Sequence, residues 1–84
     1  MMVVLDGLNM TTREAAHDEI ERQMNLPEHY GRNLDALWDI LNEREWTITL
    51  LNARTMIAEL GDYGEELFKT LFDAKTVVLK IMPS

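Results

Sequence analysis

The sequence has no cysteine, only two prolines, and few aromatic residues, which make up 7% of the chain. Without cysteine, disulfide bonds and thiolate metal sites are excluded, and the chain suits a reducing cytosol. Long apolar runs are also lacking, because Asp6-Gly7 interrupts the apolar start Met1–Leu5 well short of a signal peptide or a membrane span. We therefore expect a cytoplasmic protein that has no membrane partner.

Positive charge is scarce as well. The chain has 8 Lys and Arg against 15 Asp and Glu, which gives a formal net charge of -7 and a pI near 4.6. Direct binding of nucleic acid is disfavoured, because contacts to phosphate require cationic side chains. A basic partner is favoured, although a negative surface also serves solubility alone.

The chain length of 84 residues predicts one domain over residues 1–84. A domain of this size buries only roughly 60% of the surface that its unfolded chain exposes. A deep cleft would remove core that such a domain needs for its stability. The length therefore favours a surface-binding role over catalysis.

Hydrophobic periodicity predicts strands that alternate with helices. Strands are predicted at residues 2–5, 46–51 and 76–82, the first buried on both faces and the last ended by Pro83. Helices are predicted at residues 11–24, 33–43, 54–60 and 67–75. Strands separated by helices indicate parallel pairing. The predicted class is α/β, with a three-stranded parallel sheet packed by about four helices.

Three local signals mark the predicted ends of these helices. Thr11-x-x-Glu14 has the form of a capping box at the start of the first helix. A loop of defined shape is predicted from Asn25 to Gly31, where the glycine permits a positive φ. The segment from Gly61 to Gly64 is typical of a turn before the last helix.

The second predicted helix has one acidic side. At 100° per residue, Asp35, Asp39 and Asn42 share this side, while the leucines face the core and Trp38 lies at the border. Like charges spaced by four residues weaken a helix slightly, so helix stability does not require the pair. An ordinary solvated face, with Trp38 simply in the core, remains an alternative interpretation.

The preceding loop, Pro27-Glu28-His29-Tyr30-Gly31, adds two ring side chains beside the acidic side. Aromatic residues next to charges are typical of the centre of a protein interface. Catalysis by the aspartate pair is less well supported, because no nucleophile motif or glycine-rich phosphate loop accompanies it. His17 and His29 are too few ligands for a metal site. The sequence thus predicts a binding protein with no catalytic residues, no metal and no cofactor.

The segment from Leu26 to Leu41 resembles the signature stretch of the barstar family, inhibitors of the ribonuclease barnase. The order of the predicted elements and the pair Ala74-Lys75 before a β-branched last strand also resemble that family. The likeness covers nearly the whole chain and is dense only from Leu26 to Leu41. It implies a barstar-like fold and a partner that is a basic, barnase-like microbial ribonuclease.

By this resemblance, Asp39 occupies the position of a substrate phosphate and pairs with arginines and a catalytic histidine of the nuclease. Asp35 contacts further basic groups, and Asp73 aligns with a glutamate that forms an outlying salt bridge. The helix pattern and the resemblance together give the predicted partner-binding set: His29, Tyr30, Gly31, Asn33, Leu34, Asp35, Trp38, Asp39, Asn42 and Asp73.

Two positions depart from the family pattern. His29 stands where the family has a tyrosine that lies against the catalytic histidine, so a titratable group enters the interface. The stretch from Asn42 to Trp46 differs from the family pattern, so Trp46 is not assigned to a family tryptophan. The predicted function is a stoichiometric ribonuclease inhibitor that is a monomer when free. The alternatives are an interaction or immunity module that binds another basic protein without inhibiting a nuclease, and a hydrolase that uses the aspartate pair.

Overall fold

The computed structural model describes residues 1–82, so Pro83, the predicted end of the last strand, lies outside the described residues. Strands and helices alternate as predicted. The elements are β1 (Met2–Asp6), a short 3-10 helix (Gly7–Asn9), α1 (Arg13–Met24), α2 (Leu34–Leu41), β2 (Trp46–Leu51), α3 (Ala53–Leu60), α4 (Asp62–Asp73) and β3 (Val77–Ile81). In this range, no helix has the length and apolar character that a membrane crossing requires.

The three strands form a parallel sheet in the order β1-β2-β3. Each strand is therefore added on the same side of the one before it. Because crossovers between parallel strands are right-handed as a rule, the helices between β1 and β2 and those between β2 and β3 pack on the same face of the sheet. The other face of the sheet is open. The prediction that β1 is buried on both faces was therefore wrong: Met2 is 85% and Val4 48% exposed, while Val3 and Leu5 between them are buried.

The core lies between the covered face of the sheet and the four helices. Its fully buried leucines and isoleucines come from five elements: Leu5, Ile20, Leu37, Leu41, Ile48, Leu50, Leu67 and Leu71. Trp46 also belongs to the core, since it is 3% exposed and its indole N–H donates to the carbonyl of Ile40 at 3.3 Å. The role that the sequence left unassigned for Trp46 is therefore packing of β2 against α2.

The capping box predicted at Thr11 does not form. Thr12 is the N-cap of α1, with an extended backbone, and its hydroxyl oxygen accepts a hydrogen bond from the amide of Ala15 at 3.0 Å. Since the helix begins at Arg13, Glu14 is its second residue and not the third, which is the position that reaches back to the cap. The two adjacent threonines made the sequence signal ambiguous by one residue.

The turn predicted from Gly61 to Gly64 is shorter than expected. Only Gly61, with φ of 63°, separates α3 from α4, and α4 already begins at Asp62. Gly64 lies within the helix because the two helices pack closely there: a Cβ at this position would sit 2.9 Å from the Cα of Ile57. Helices α2 and α4 each end two residues earlier than predicted, at Leu41 and Asp73.

Candidate protein-binding surface

Helix α2 is held in place at both ends. Asn33 is its N-cap, and the side-chain oxygen of Asn33 accepts a hydrogen bond from the amide of Ala36 at 2.7 Å. At the other end, Asn42 is the C-cap, and its side-chain amide donates to the carbonyl of Trp38 at 2.8 Å. The buried side chains of Leu37 and Leu41 fix the inward side of the helix. Its outward side is therefore presented to solvent in one orientation.

This outward side carries the predicted acidic pair. Asp35 and Asp39 are exposed, and within residues 1–82 neither forms an ion pair with a basic side chain. Trp38 lies at the border of the acidic side and is 41% exposed. Two carboxylates one helical turn apart, without internal partners, are available to cations of another molecule. We call Asp35, Trp38 and Asp39 the acidic face.

The loop before α2 is anchored from inside. Tyr30 is 5% exposed, and its hydroxyl lies 2.9 Å from Nδ1 of His17. The other ring nitrogen of His17, Nε2, lies 2.6 Å from the hydroxyl of Tyr63 on α4. Tyr30 was predicted to contact a partner, but its side chain is turned into the protein and offers little surface. It fixes the loop to α1 and α4 through His17.

From the sequence, His17 was considered only as a weak metal ligand, and its role in anchoring the loop was not predicted. A signal was present, because His17 stands between the apolar residues Ala16 and Ile20 on the inward side of α1, where it is 3% exposed. Within residues 1–82, no three His, Asp or Glu side chains form a metal-ligand group.

Arg32, two residues after Tyr30, fixes the same end of the loop, next to α2. Its guanidinium contacts Asp18 at 2.7 Å and Glu21 at 3.1 Å, and donates to the carbonyl of Glu14 at 3.2 Å. Arg32, not Gly31, has the left-handed backbone, with φ of 53°. Gly31 does not adopt the positive φ that a glycine permits, and the contacts of Arg32 instead hold that residue in a conformation that side chains rarely adopt. Gly31 is needed for space: a Cβ there would lie 3.0 Å from Cβ of Ala36.

Other residues of the predicted partner-binding set lie on two sides of α2. Leu34, Asp35 and Trp38 line a groove of about 360 Å³ whose other wall is α4, and Asp73 belongs to that wall. The exposed His29 lines a second pocket, of about 410 Å³, together with Tyr30, Gly31 and Ile40. The structure therefore places Asp73 next to the acidic face and His29 on the opposite flank of the helix.

Burial lowers the pKa of His17, and the positive charges of Arg32 and Arg13 lower it further, while the carboxylates of Glu21 and Asp18 oppose the shift. Burial also raises the pKa of Tyr30 and of Tyr63. Near neutral pH, His17 is therefore neutral and bridges two neutral phenols. One ring nitrogen donates to a hydroxyl, and the other nitrogen accepts from the second hydroxyl.

We expect the free energy of unfolding to fall as the pH is lowered through 6.5, the ordinary pKa of His17. The pKa of His17 is lower in the folded state than in the unfolded state, so the unfolded state binds more protons at pH values between these two pKa values. The stabilisation that neutral His17 contributes is therefore complete above pH 6.5 and is lost on acidification. Urea unfolding between about pH 8 and pH 5 measures this slope. His17→Gln should flatten it and His29→Gln, at an exposed histidine, should not; an unchanged slope in His17→Gln would contradict the assignment.

The sequence is similar to those of known proteins. The sequence model of the family described as Barstar (barnase inhibitor) matches residues 1–80. Over 76 residues the chain is 32% identical to a protein of Bacillus subtilis (strain 168) named "Putative ribonuclease inhibitor YrdF". That match covers 87% of this chain and 84% of the relative.

Proposed function

This chain belongs to the barstar family, and from that premise we propose that it inhibits a basic, barnase-like ribonuclease by blocking its active site. The observation that carries the proposal is the acidic face of α2, with two exposed carboxylates that have no internal partner within residues 1–82. The name of the relative from Bacillus subtilis also supports a ribonuclease as the target.

In this mechanism the carboxylates of Asp35 and Asp39 take the places of two RNA phosphates. A ribonuclease binds the RNA backbone through cationic side chains, so its active site attracts a correctly spaced pair of negative charges. The inhibitor carries out no chemistry itself and acts by stoichiometric occlusion. The proposed contact also includes Leu34, Trp38 and Asp73 beside the acidic face, Asn33 and Asn42 at the ends of α2, and Tyr30, Gly31 and His29 in the loop before α2.

The anchored loop supports the proposal energetically. Tyr30 is bonded to His17, and Arg32 is paired with Asp18 and Glu21, so the end of the loop next to α2 is fixed before any partner arrives. Ordering a loop on binding reduces affinity, whereas a surface that already has its bound shape avoids this loss. The two anchors therefore favour tight binding by holding the loop in one shape.

The proposal predicts a 1:1 complex with at least one guanyl-specific microbial ribonuclease and full loss of its activity at equimolar inhibitor. A panel of such enzymes can be tested by RNA cleavage and by size-exclusion chromatography of the mixtures. Because the net charge of this chain is -7, association with a basic enzyme should also slow as NaCl is added. In the cytoplasm, such an inhibitor would protect the RNA of the cell that makes the nuclease.

The same panel separates the alternatives. Binding to none of the ribonucleases, with a different basic protein retained in a pull-down, favours an interaction or immunity module. RNA cleavage by the chain alone, abolished in Asp39→Asn, favours the hydrolase. Binding without inhibition contradicts occlusion of the active site.

A further inference from the structure

A third groove, of about 480 Å³, lies on the side of Asp35 that faces α1 and α4. Its walls come from the first turns of α1, α2 and α4, and we call it the Arg13 groove. Its lining includes the cations of Arg13 and Arg32, the rings of His17 and Tyr63, and the carboxylates of Glu14 and Asp35. None of the groove's cationic or aromatic side chains was used in the proposed contact with the ribonuclease.

Arg13 differs from the other cation of this groove. Arg32 is already paired with Asp18 and Glu21, whereas Arg13 has no carboxylate partner within residues 1–82. The guanidinium of Arg13 instead lies over the ring of Tyr63, 3.9 Å from its centroid. Stacking of this kind holds the planar group in a fixed orientation and leaves its edge N–H donors open to a second partner.

The position of Asp35 connects this groove to the proposed interface. Asp35 lines both the Arg13 groove and the groove beside Trp38, so a protein that docks on the acidic face lies next to Arg13. In a chain with a net charge of -7, a free polyanion is repelled from this region. A single carboxylate on an otherwise basic protein is not repelled in this way, because the positive charges of that protein are attracted to this acidic chain. The ligand that fits an oriented, unpaired guanidinium is therefore a carboxylate of the partner.

We propose that the Arg13 groove receives an Asp or Glu side chain of the partner ribonuclease, with Arg13 as its bidentate donor. This inference rests on the proposed function and adds a determinant of specificity to it. The acidic face attracts basic ribonucleases in general, whereas Arg13 disfavours any that present a lysine or arginine at this position. The inhibitor thus selects among enzymes with similar active sites through a contact outside the phosphate-binding pocket.

The first test needs no ribonuclease and uses acetate as the carboxylate probe. In the ¹⁵N-labelled full chain, we expect acetate to shift the Nε–Hε signal of Arg13 and the amide signal of Tyr63 in a saturable way. The Tyr63 shift should be lost in Arg13→Gln and kept in Arg54→Gln, a matched change at an exposed arginine on α3. Equal shifts at Arg13 and Arg54, or none, would overturn the anion site.

The second test uses a ribonuclease that the chain inhibits. Arg13→Gln should raise the inhibition constant about tenfold, as expected for one charge-assisted contact. Arg13→Lys should recover part of the loss, and Arg54→Gln should have no effect. Inhibition by Arg13→Gln equal to that by Arg54→Gln would overturn the partner contact. Asp39→Ala, measured in parallel, tests only the occlusion of the active site. A failure of the proposed function can therefore be distinguished from a failure of the proposed contact at Arg13.

Discussion

Asp39→Ala is expected to weaken inhibition of the target ribonuclease by about 100-fold or more. In the proposed complex, Asp39 lies among cationic side chains that have lost their water. Removing one partner of a buried ion pair leaves the other charges uncompensated, at a cost of about 3 to 5 kcal/mol. A loss of this size corresponds to at least a hundredfold change in the dissociation constant. Inhibition constants of the purified variants measure it directly.

The matched control is Glu59→Ala, which removes the same charge from an exposed position on α3 and should change inhibition little. Folding should not complicate the comparison. Asp39 is exposed and spaced by four residues from Asp35, so its loss removes a weak repulsion within α2. If Asp39→Ala inhibits as well as Glu59→Ala does, the carboxylate does not stand in for a phosphate and the mechanism is wrong.

Tyr30→Ala should lower the free energy of unfolding by about 3 to 5 kcal/mol, because it removes a large buried ring and leaves a cavity. That is a large part of the roughly 5 to 15 kcal/mol that stabilises a typical domain. Tyr30→Phe keeps the ring and loses only the hydroxyl, so it should cost about 1 to 3 kcal/mol through the unpaired nitrogen of His17. Urea unfolding followed by tryptophan fluorescence gives both values.

Tyr63→Phe is the matched control, since it removes the other hydroxyl that His17 contacts. Tyr63 is only half-buried, so water can replace its hydroxyl and the loss of stability should be smaller. Tyr30→Phe should also weaken inhibition, although the hydroxyl faces the interior, because the loop before α2 loses an anchor. A Tyr30→Phe variant as stable as the native chain would show that the bridge through His17 does not hold the loop.

The alternation of strands and helices could be predicted because hydrophobic periodicity is a local property. The bounds of β2 and of α3 agreed to within one residue with the pattern that predicted them. The open face of the sheet could not be predicted in this way. It follows from the order of the three strands and the side on which the helices cross, and neither is encoded in any single segment.

The acidic face was predictable for the same local reason, since helical spacing alone puts Asp35 and Asp39 on one side of α2. The inward position of Tyr30 was not, because it depends on His17, 13 residues earlier, and through His17 on Tyr63, 46 residues further along from that histidine. The backbone of Arg32 was missed for a related reason. Ion pairs with α1 outweigh the usual preference for glycine in that conformation.

The bridge from Tyr30 through His17 to Tyr63 has a consequence for the divergence of related inhibitors. The shape of the loop before α2 is set in part by His17 and Tyr63, which lie outside both the loop and the acidic face. Two relatives with identical surface residues can therefore differ in which enzyme they fit, if one has exchanged a residue behind the loop. Mutational libraries intended to direct this chain to chosen ribonucleases should accordingly randomise positions 17 and 63 together with the exposed ones.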